Sequence, residues 1–407
     1  MGYRTLKSIF HEHNESKMKE EYIKRFNSLA SFNTNINIIP MENGKKVNDL
    51  EYPLFFMVTK NLSKKQELIW QCVNRKIDRA LNSLPYAARE QYFNDLLIDE
   101  LQSTNEIENV FSTKQEIAHA LNNQASEFLK FRGLVDQYKE IELNKKIKVD
   151  NVRDIRAIYD KLVSNEINEQ DKLDGELFRK NFVGVHDGST NKYIHVGLQP
   201  ETKIVEYIGE MLTFLKYFDA PQPFKIMASH YLFEYIHPFY DGNGRVGRFI
   251  IAKLLSDYYD NYTALTFSYV INRNKSKYYK AFMTASNHLN CGDLTEFIDT
   301  MLELLIAGQE RILDELIPKT DATEKLTLYL TSHYKQIDYE FLYLLSMDKL
   351  FGNKRNRLTL IDLENILGVG RVKINNTIKK FGNYLVKIKS RPTIYEISDE
   401  FLNSIIK

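Results

Sequence analysis

The sequence predicts a mostly α-helical protein with one β-hairpin in its middle and a helix-turn-helix with a β-wing towards its C-terminus. Three observations carry that prediction. Apolar residues recur at three- and four-residue spacing through long stretches with few breakers, which marks one-sided helices. Between Asn181 and Val196 the texture changes to short β-prone runs flanking a cluster of turn formers. From Leu360 to Phe381 a short helical run, a glycine turn and a second helical run follow one another.

Size and composition bound the rest. A chain of 407 residues exceeds one ordinary domain. We expect an N-terminal helical region over 1–100, a central domain over 101–318 and a winged-helix domain over 319–407. Lys and Arg (55) nearly cancel Asp and Glu (54), so the whole molecule is not built as a polyanion binder, which leaves only local basic patches. Two distant cysteines, Cys72 and Cys291, offer neither a disulfide framework nor metal-ligand spacing. No apolar run reaches the length of a membrane span, and Leu6 breaks the myristoylation pattern that Met1-Gly2 would begin. These features lead us to expect a cytoplasmic protein with no membrane partner.

Taken in order, helical patterns run from about Ser63 to Leu97 and from about Ser112 to Leu143. Two capping boxes, Ser103-x-x-Glu106 and Ser112-x-x-Gln115, suggest a short helix over Ser103 to Phe111 followed by a longer one. Phe182–Val185 and Tyr193–Val196 read as hairpin strands around the turn His186 to Asn191. Helices resume over about 201–218, 223–236, 245–259, 275–286 and 293–316. From about Thr323 a separate unit follows, with Tyr384–Ile388 and Thr393–Ile397 as its wing around Arg391-Pro392.

The loop Ile236-His237-Pro238-Phe239-Tyr240-Asp241-Gly242-Asn243-Gly244-Arg245-Val246-Gly247-Arg248 holds the chemistry. Pro238 disfavours helical geometry at His237, so the preceding helix stops with an imidazole at its end. Phe239 is apolar and anchors the loop from below. Asp241-Gly242-Asn243-Gly244 lets the backbone turn tightly and present bare N–H groups, and the next helix adds its unpaired N–H groups and positive dipole end. Asp241 is a hard oxygen ligand suited to a Mg²⁺ that keeps phosphate oxygens and water. Arg245 and Arg248, three apart, share a helix face and can both grip phosphate. His237 beside a bound phosphate is placed to take a proton from an attacking hydroxyl.

Residues His237 to Arg248 resemble the complete signature of the Fic family, HPFx[D/E]GNGRxxR, without a departure. That resemblance implies a Fic-type helical core over 101–318 that transfers AMP from ATP, with Mg²⁺, to a hydroxyl side chain of a protein. It makes His237 the general base, Asp241 the Mg²⁺ ligand, Gly242, Asn243 and Gly244 the anion hole, and Arg245 and Arg248 the phosphate grips. Related Doc-type kinases carry Lys where this chain has Gly244. The hairpin over 183–196 lies where the family has the flap that holds its target as an added strand. Ser276-Lys277-Tyr278-Tyr279 resembles the segment whose tyrosines line the adenine pocket, with Asn287 as a further candidate. Thr104-Asn105-Glu106-Ile107-Glu108-Asn109 resembles the inhibitory motif [S/T]xxxE[G/N], which implies that Glu108 pairs with Arg248, with Thr104 on the same helix face.

The resemblance therefore implies an autoinhibited protein adenylyltransferase acting on Ser, Thr or Tyr of a target or of itself, with removal of AMP also open and a homodimer implied. Transfer of another nucleotide or of phosphocholine stays open, because the motif reads phosphate better than base. The alternative function is a DNA-binding regulator whose Fic core senses nucleotide. Ten cations against two acids over 354–391 make duplex DNA a candidate partner there, with Arg371, Lys373 and Asn375 towards a groove and Lys389 or Arg391 near the backbone. Dimerisation or target docking through the same surface is the competing reading.

Overall fold

In the computed structural model, residues 3–122, 131–143, 145, 147–186, 193–352 and 357–406 are described. The chain divides into two compact units: residues 1–73 with 97–309, and residues 74–96 with 310–407. Among the described residues no helix is long and apolar enough to cross a membrane.

The first unit is organised around two helices, Gln222–Ile236 and Asn243–Tyr258. The first is apolar around most of its circumference, as a helix meant for an interior should be, and the second is nearly as deeply buried although it carries Arg245, Arg248 and Lys253. Ile226, Met227, Ala228, Leu232, Ile236, Val246, Phe249 and Ala252 are fully buried. Glu201–Tyr217 and Val152–Leu162 pack around this pair, the latter opened by a full capping box between Asn151 and Asp154. The loop between the two central helices is therefore held at both ends by core packing.

The helices expected over 201–218, 223–236, 245–259 and 275–286 are present as Glu201–Tyr217, Gln222–Ile236, Asn243–Tyr258 and Lys275–Ser286. The flap strands are Gly184–His186 and Tyr193–Val196, antiparallel, with a register shift between Val185 and His186. Their connection at 187–192 lies outside the described residues.

Five expectations need correction. Residues 31–57, counted within a helical region, include an antiparallel pair, Ser31–Ile38 with Tyr52–Met57. The helical pattern over 63–97 is broken into Lys60–Gln71, a π-helical turn Cys72–Ile77, Asp78–Asn82 and Tyr86–Ile107, with Pro85 ahead of the last. Ser103 starts no helix: it lies inside Tyr86–Ile107, where the turn before it leaves no free N–H for it to cap. The second box forms one residue later, with Glu116 accepting from the Thr113 N–H and Thr113 Oγ1 accepting from the Glu116 N–H. Finally, the helix expected to stop at 316 continues as Thr295–His333 through Pro318, because apolar positions keep their helical spacing beyond the proline at Leu326 and Leu330.

The second unit contains Gln336–Phe351, then Leu360–Leu367, a left-handed Gly368, and Arg371–Lys380. Leu385–Ser390 and Thr393–Ile397 follow as an antiparallel pair, close to the expected wing. Its cations are unevenly used. Arg357 is mostly buried against Asp348 and Glu396, and Arg371 pairs with Glu364 at 2.6 Å. Lys373, Asn375, Lys389 and Arg391 are exposed, whereas Lys354 and Arg355 lie outside the described residues.

Candidate active site

His237 ends its helix in the left-handed region at φ +53°, with its N–H still donating to the Phe233 carbonyl. Pro238 forces that break. Phe239 drops into the core with no exposed surface and stacks on Tyr159 at 4.0 Å between ring centroids. Asn243 closes the loop from the other side: its Oδ1 accepts from the Phe239 N–H at 2.9 Å and its Nδ2 donates to the Phe239 carbonyl at 2.8 Å. The asparagine side chain is thus a clamp, so only backbone at this position is left for an anion. Gly242, at φ +85°, turns the chain into the helix that starts at Asn243.

This loop forms the floor of a cavity of about 200 Å³. His237, Asp241, Gly242, Asn243, Gly244 and Arg248 line it, Val185, Ile194 and His195 of the flap close one side, and Tyr278, Tyr279, Phe282 and Met283 another. Glu108 enters at the Arg248 end.

The imidazole is neutral and oriented by its own helix. Nδ1 lies 3.3 Å from the Glu234 carbonyl, a contact that favours the proton on Nδ1 and leaves Nε2 as the acceptor. Burial, with the Arg179 charge adding to it, pushes the imidazole down to about 4, so it is neutral at physiological pH. Arg179 is itself fully buried and was not anticipated. It donates to the carbonyls of His237 at 2.9 Å, Asn181 at 2.5 Å and Leu198 at 2.7 Å, tying the helix end to the foot of the flap.

Arg248 is almost wholly buried. Its Nη2 lies 2.8 Å from Glu108 Oε1, its Nε donates to Thr104 Oγ1 at 2.9 Å, and Nη2 also donates to the Thr104 carbonyl at 3.0 Å. Thr104 and Glu108 thus meet the same guanidinium from one helix face. Asn109 explains why the motif ends in glycine or asparagine. It sits at φ +58°, with its N–H directed to the Glu106 carbonyl and the Val110 N–H to the Asn105 carbonyl, the double bond of a Schellman cap. The helix end is fastened further by Lys275 Nζ to the Glu106 carbonyl at 2.7 Å and Asn272 Nδ2 to Glu106 Oε2 at 2.6 Å. Gly244 is as close as backbone can come: a Cβ there would stand 2.0 Å from Glu108 Oε1.

Two expected site residues lie elsewhere. Arg245 does not line the cavity; it pairs with Glu166 at 2.8 Å and lies 3.7 Å from Asp241, so it braces the loop from behind. Asn287 caps a short 3₁₀ turn through the Leu289 N–H, and its neighbour Ser286 is the one that reaches the cavity. Tyr278 and Tyr279 do line it, and His230 Nε2 holds the Tyr278 hydroxyl at 2.8 Å. Asp241, with nearly half its side chain exposed, offers one open carboxylate, enough for a Mg²⁺ that takes its other ligands from phosphate and water. Among the described residues no group of three or more metal-binding side chains gathers.

A neutral helix-end imidazole, an open carboxylate and a glycine-framed helix N-terminus, an arrangement suited to an anion, meet within a predominantly helical domain of Fic-type fold. Residues 149–255, which include the whole loop, match the Fic/DOC family. Over 178 residues the chain is 29% identical to a probable protein adenylyltransferase of Aquifex aeolicus (strain VF5), covering 40% of this chain and 51% of that protein, so it spans about half the length of that relative. Its fold is similar to that of a Fic family protein from Desulfovibrio desulfuricans G20, with a TM-score of 0.54, 19% identity, and 84% of this chain and 97% of that one covered. The chain carries a Fic/DOC family domain.

Proposed function

We propose that this protein is a protein adenylyltransferase that moves AMP from ATP to a hydroxyl side chain and is held back by Glu108. The observation that carries the reading is the convergence, in one cavity, of neutral His237, Asp241, the Gly242–Gly244 turn and Arg248. The target hydroxyl oxygen forms a bond to the α-phosphorus and the bond from that phosphorus to the pyrophosphate oxygen breaks, its electron pair leaving on pyrophosphate. His237 Nε2 takes the hydroxyl proton. The N–H groups at the start of Asn243–Tyr258 face the phosphates, and Arg248 supplies their strongest cation once freed. Asp241 would hold Mg²⁺, which neutralises phosphate charge when bound. Tyr278 and Tyr279 supply a flat, apolar wall for a base.

The Glu108 carboxylate occupies Arg248 and the space over Gly244, so a phosphate seeking the same guanidinium meets an anion already there. The flap strands offer backbone for an added strand of target, and the chain itself is one candidate target.

The test is incubation with Mg²⁺ and labelled ATP, UTP or GTP, using wild type, Glu108→Gly and His237→Ala, followed by mass spectrometry of modified residues. Label from ATP should rise in Glu108→Gly and vanish in His237→Ala. Label that persists without His237 would overturn the reading.

A further inference from the structure

Glu234 stands one helical turn before His237 and lines the same cavity. Its Oε2 lies 3.8 Å from His237 Nδ1, the nitrogen that now faces Glu234's own carbonyl. The other oxygen, Oε1, is buried with no hydrogen-bond partner among the described residues. It presses on Gly247, where a Cβ would stand 2.4 Å away. A buried carboxyl with an idle oxygen, placed within a small side-chain movement of a base, needs a reason to be there.

We propose, resting on the reading of His237 as the base, that Glu234 is its positioning partner, taking the Nδ1–H as Nε2 accepts the proton of the target hydroxyl. Bond making and breaking at phosphorus are unchanged; the added event is a hydrogen bond from the new imidazolium to the Glu234 carboxylate. The imidazolium forms in a site that burial and Arg179 make hostile to a cation, and a carboxylate beside it offsets that.

Glu234 itself is held protonated at rest. Burial is the main cause and pushes its carboxyl up to about 8, with Arg248 favouring the ionised form and Glu108 opposing it. The phenol of Tyr278 lies within the same electrostatic neighbourhood. Departure of Glu108 removes the anion that opposes Glu234's ionisation, so the base gains its partner as the inhibitory carboxylate leaves.

The experiment measures AMP transfer against pH in the Glu108→Gly protein, alone and with Glu234→Gln, Glu234→Asp or His237→Ala added. The parent rate should climb with pH as Glu234 ionises, at a midpoint below the value of about 8 that Glu234 has with Glu108 in place. Glu234→Gln should lose that climb and roughly 10- to 100-fold of the alkaline rate. Glu234→Asp should keep the climb at a lower height, which a purely structural role would not give. A Glu234→Gln profile of unchanged shape, or a Glu234→Asp profile without the climb, overturns the proposal. Activity that survives His237→Ala overturns the functional reading beneath it.

Discussion

Replacing Glu108 by glycine removes one charged contact from Arg248 and leaves two others. The Thr104 hydroxyl and carbonyl still accept from the guanidinium at 2.9 and 3.0 Å, and Lys275 and Asn272 still hold the helix end. The helix therefore stays in place and only its anion goes. A hydrogen bond between charged partners is worth about 1.5–3 kcal/mol net, which is roughly 10- to 150-fold in the population of a free Arg248. Glu108 keeps 29% of its side chain exposed, and solvent screening places the effect in the lower half of that range. Initial rates of label transfer from α-labelled ATP should rise by roughly 10- to 50-fold in Glu108→Gly, with Glu108→Gln in between because it keeps the shape without the charge. Glu108→Gly combined with His237→Ala sets the baseline. Equal rates in wild type and Glu108→Gly, above that baseline, would refute the claim that this ion pair restrains the site.

Asn109→Ala puts a side chain with no local hydrogen bonding at φ +58°, so it should cost about 1 kcal/mol of local stability, seen as faster amide exchange at Val110, whereas Asn109→Gly should not. Arg179→Lys replaces a fork serving several carbonyls with a point charge, and should lower the urea midpoint by the equivalent of about 3 kcal/mol while reducing transfer. Stability should peak at about pH 6–7 in urea titrations. His195, His230 and His237 are depressed to about 3, 3 and 4, so their contribution is complete above the ordinary histidine value and lost as pH falls below it. Glu100 and Glu234 are raised to about 7 and 8 by burial, so theirs is complete at low pH and lost as pH rises through those values. A midpoint that climbs steadily into alkali would contradict these assignments.

The reactive loop was legible because its function is written in contiguous residues, and local rules at Pro238 and Gly242 settle its backbone. The pairing of Glu108 with Arg248 could be read only through family resemblance, since no local rule joins residues so far apart. Arg179 carried no signal: an arginine beside Lys180 and Asn181 looks solvated until the fold surrounds it with carbonyls. Glu234 looked like one acid in an apolar helix, and that conflict with its surroundings was a usable hint. The strand at Ser31–Ile38 was also readable, because Phe32, Thr34, Ile36 and Ile38 alternate with asparagines and serine, and the last three are buried. Arg245 was misplaced because a shared helix face says nothing about which buried arginine meets Glu108 at the cavity and which meets Glu166 behind it.

Arg179 fastens the His237 helix end and the foot of the flap to one guanidinium, so under the proposed function the hydroxyl acceptor and the docking edge would form a fixed gauge. A strand advances about 3.3 Å per residue and turns successive side chains to opposite faces. A peptide laid along that edge and shifted by one position would carry its hydroxyl away from His237 and point it to the other side. Modification would then count residues along its target, choosing by distance from the docked segment as much as by the neighbours of the hydroxyl.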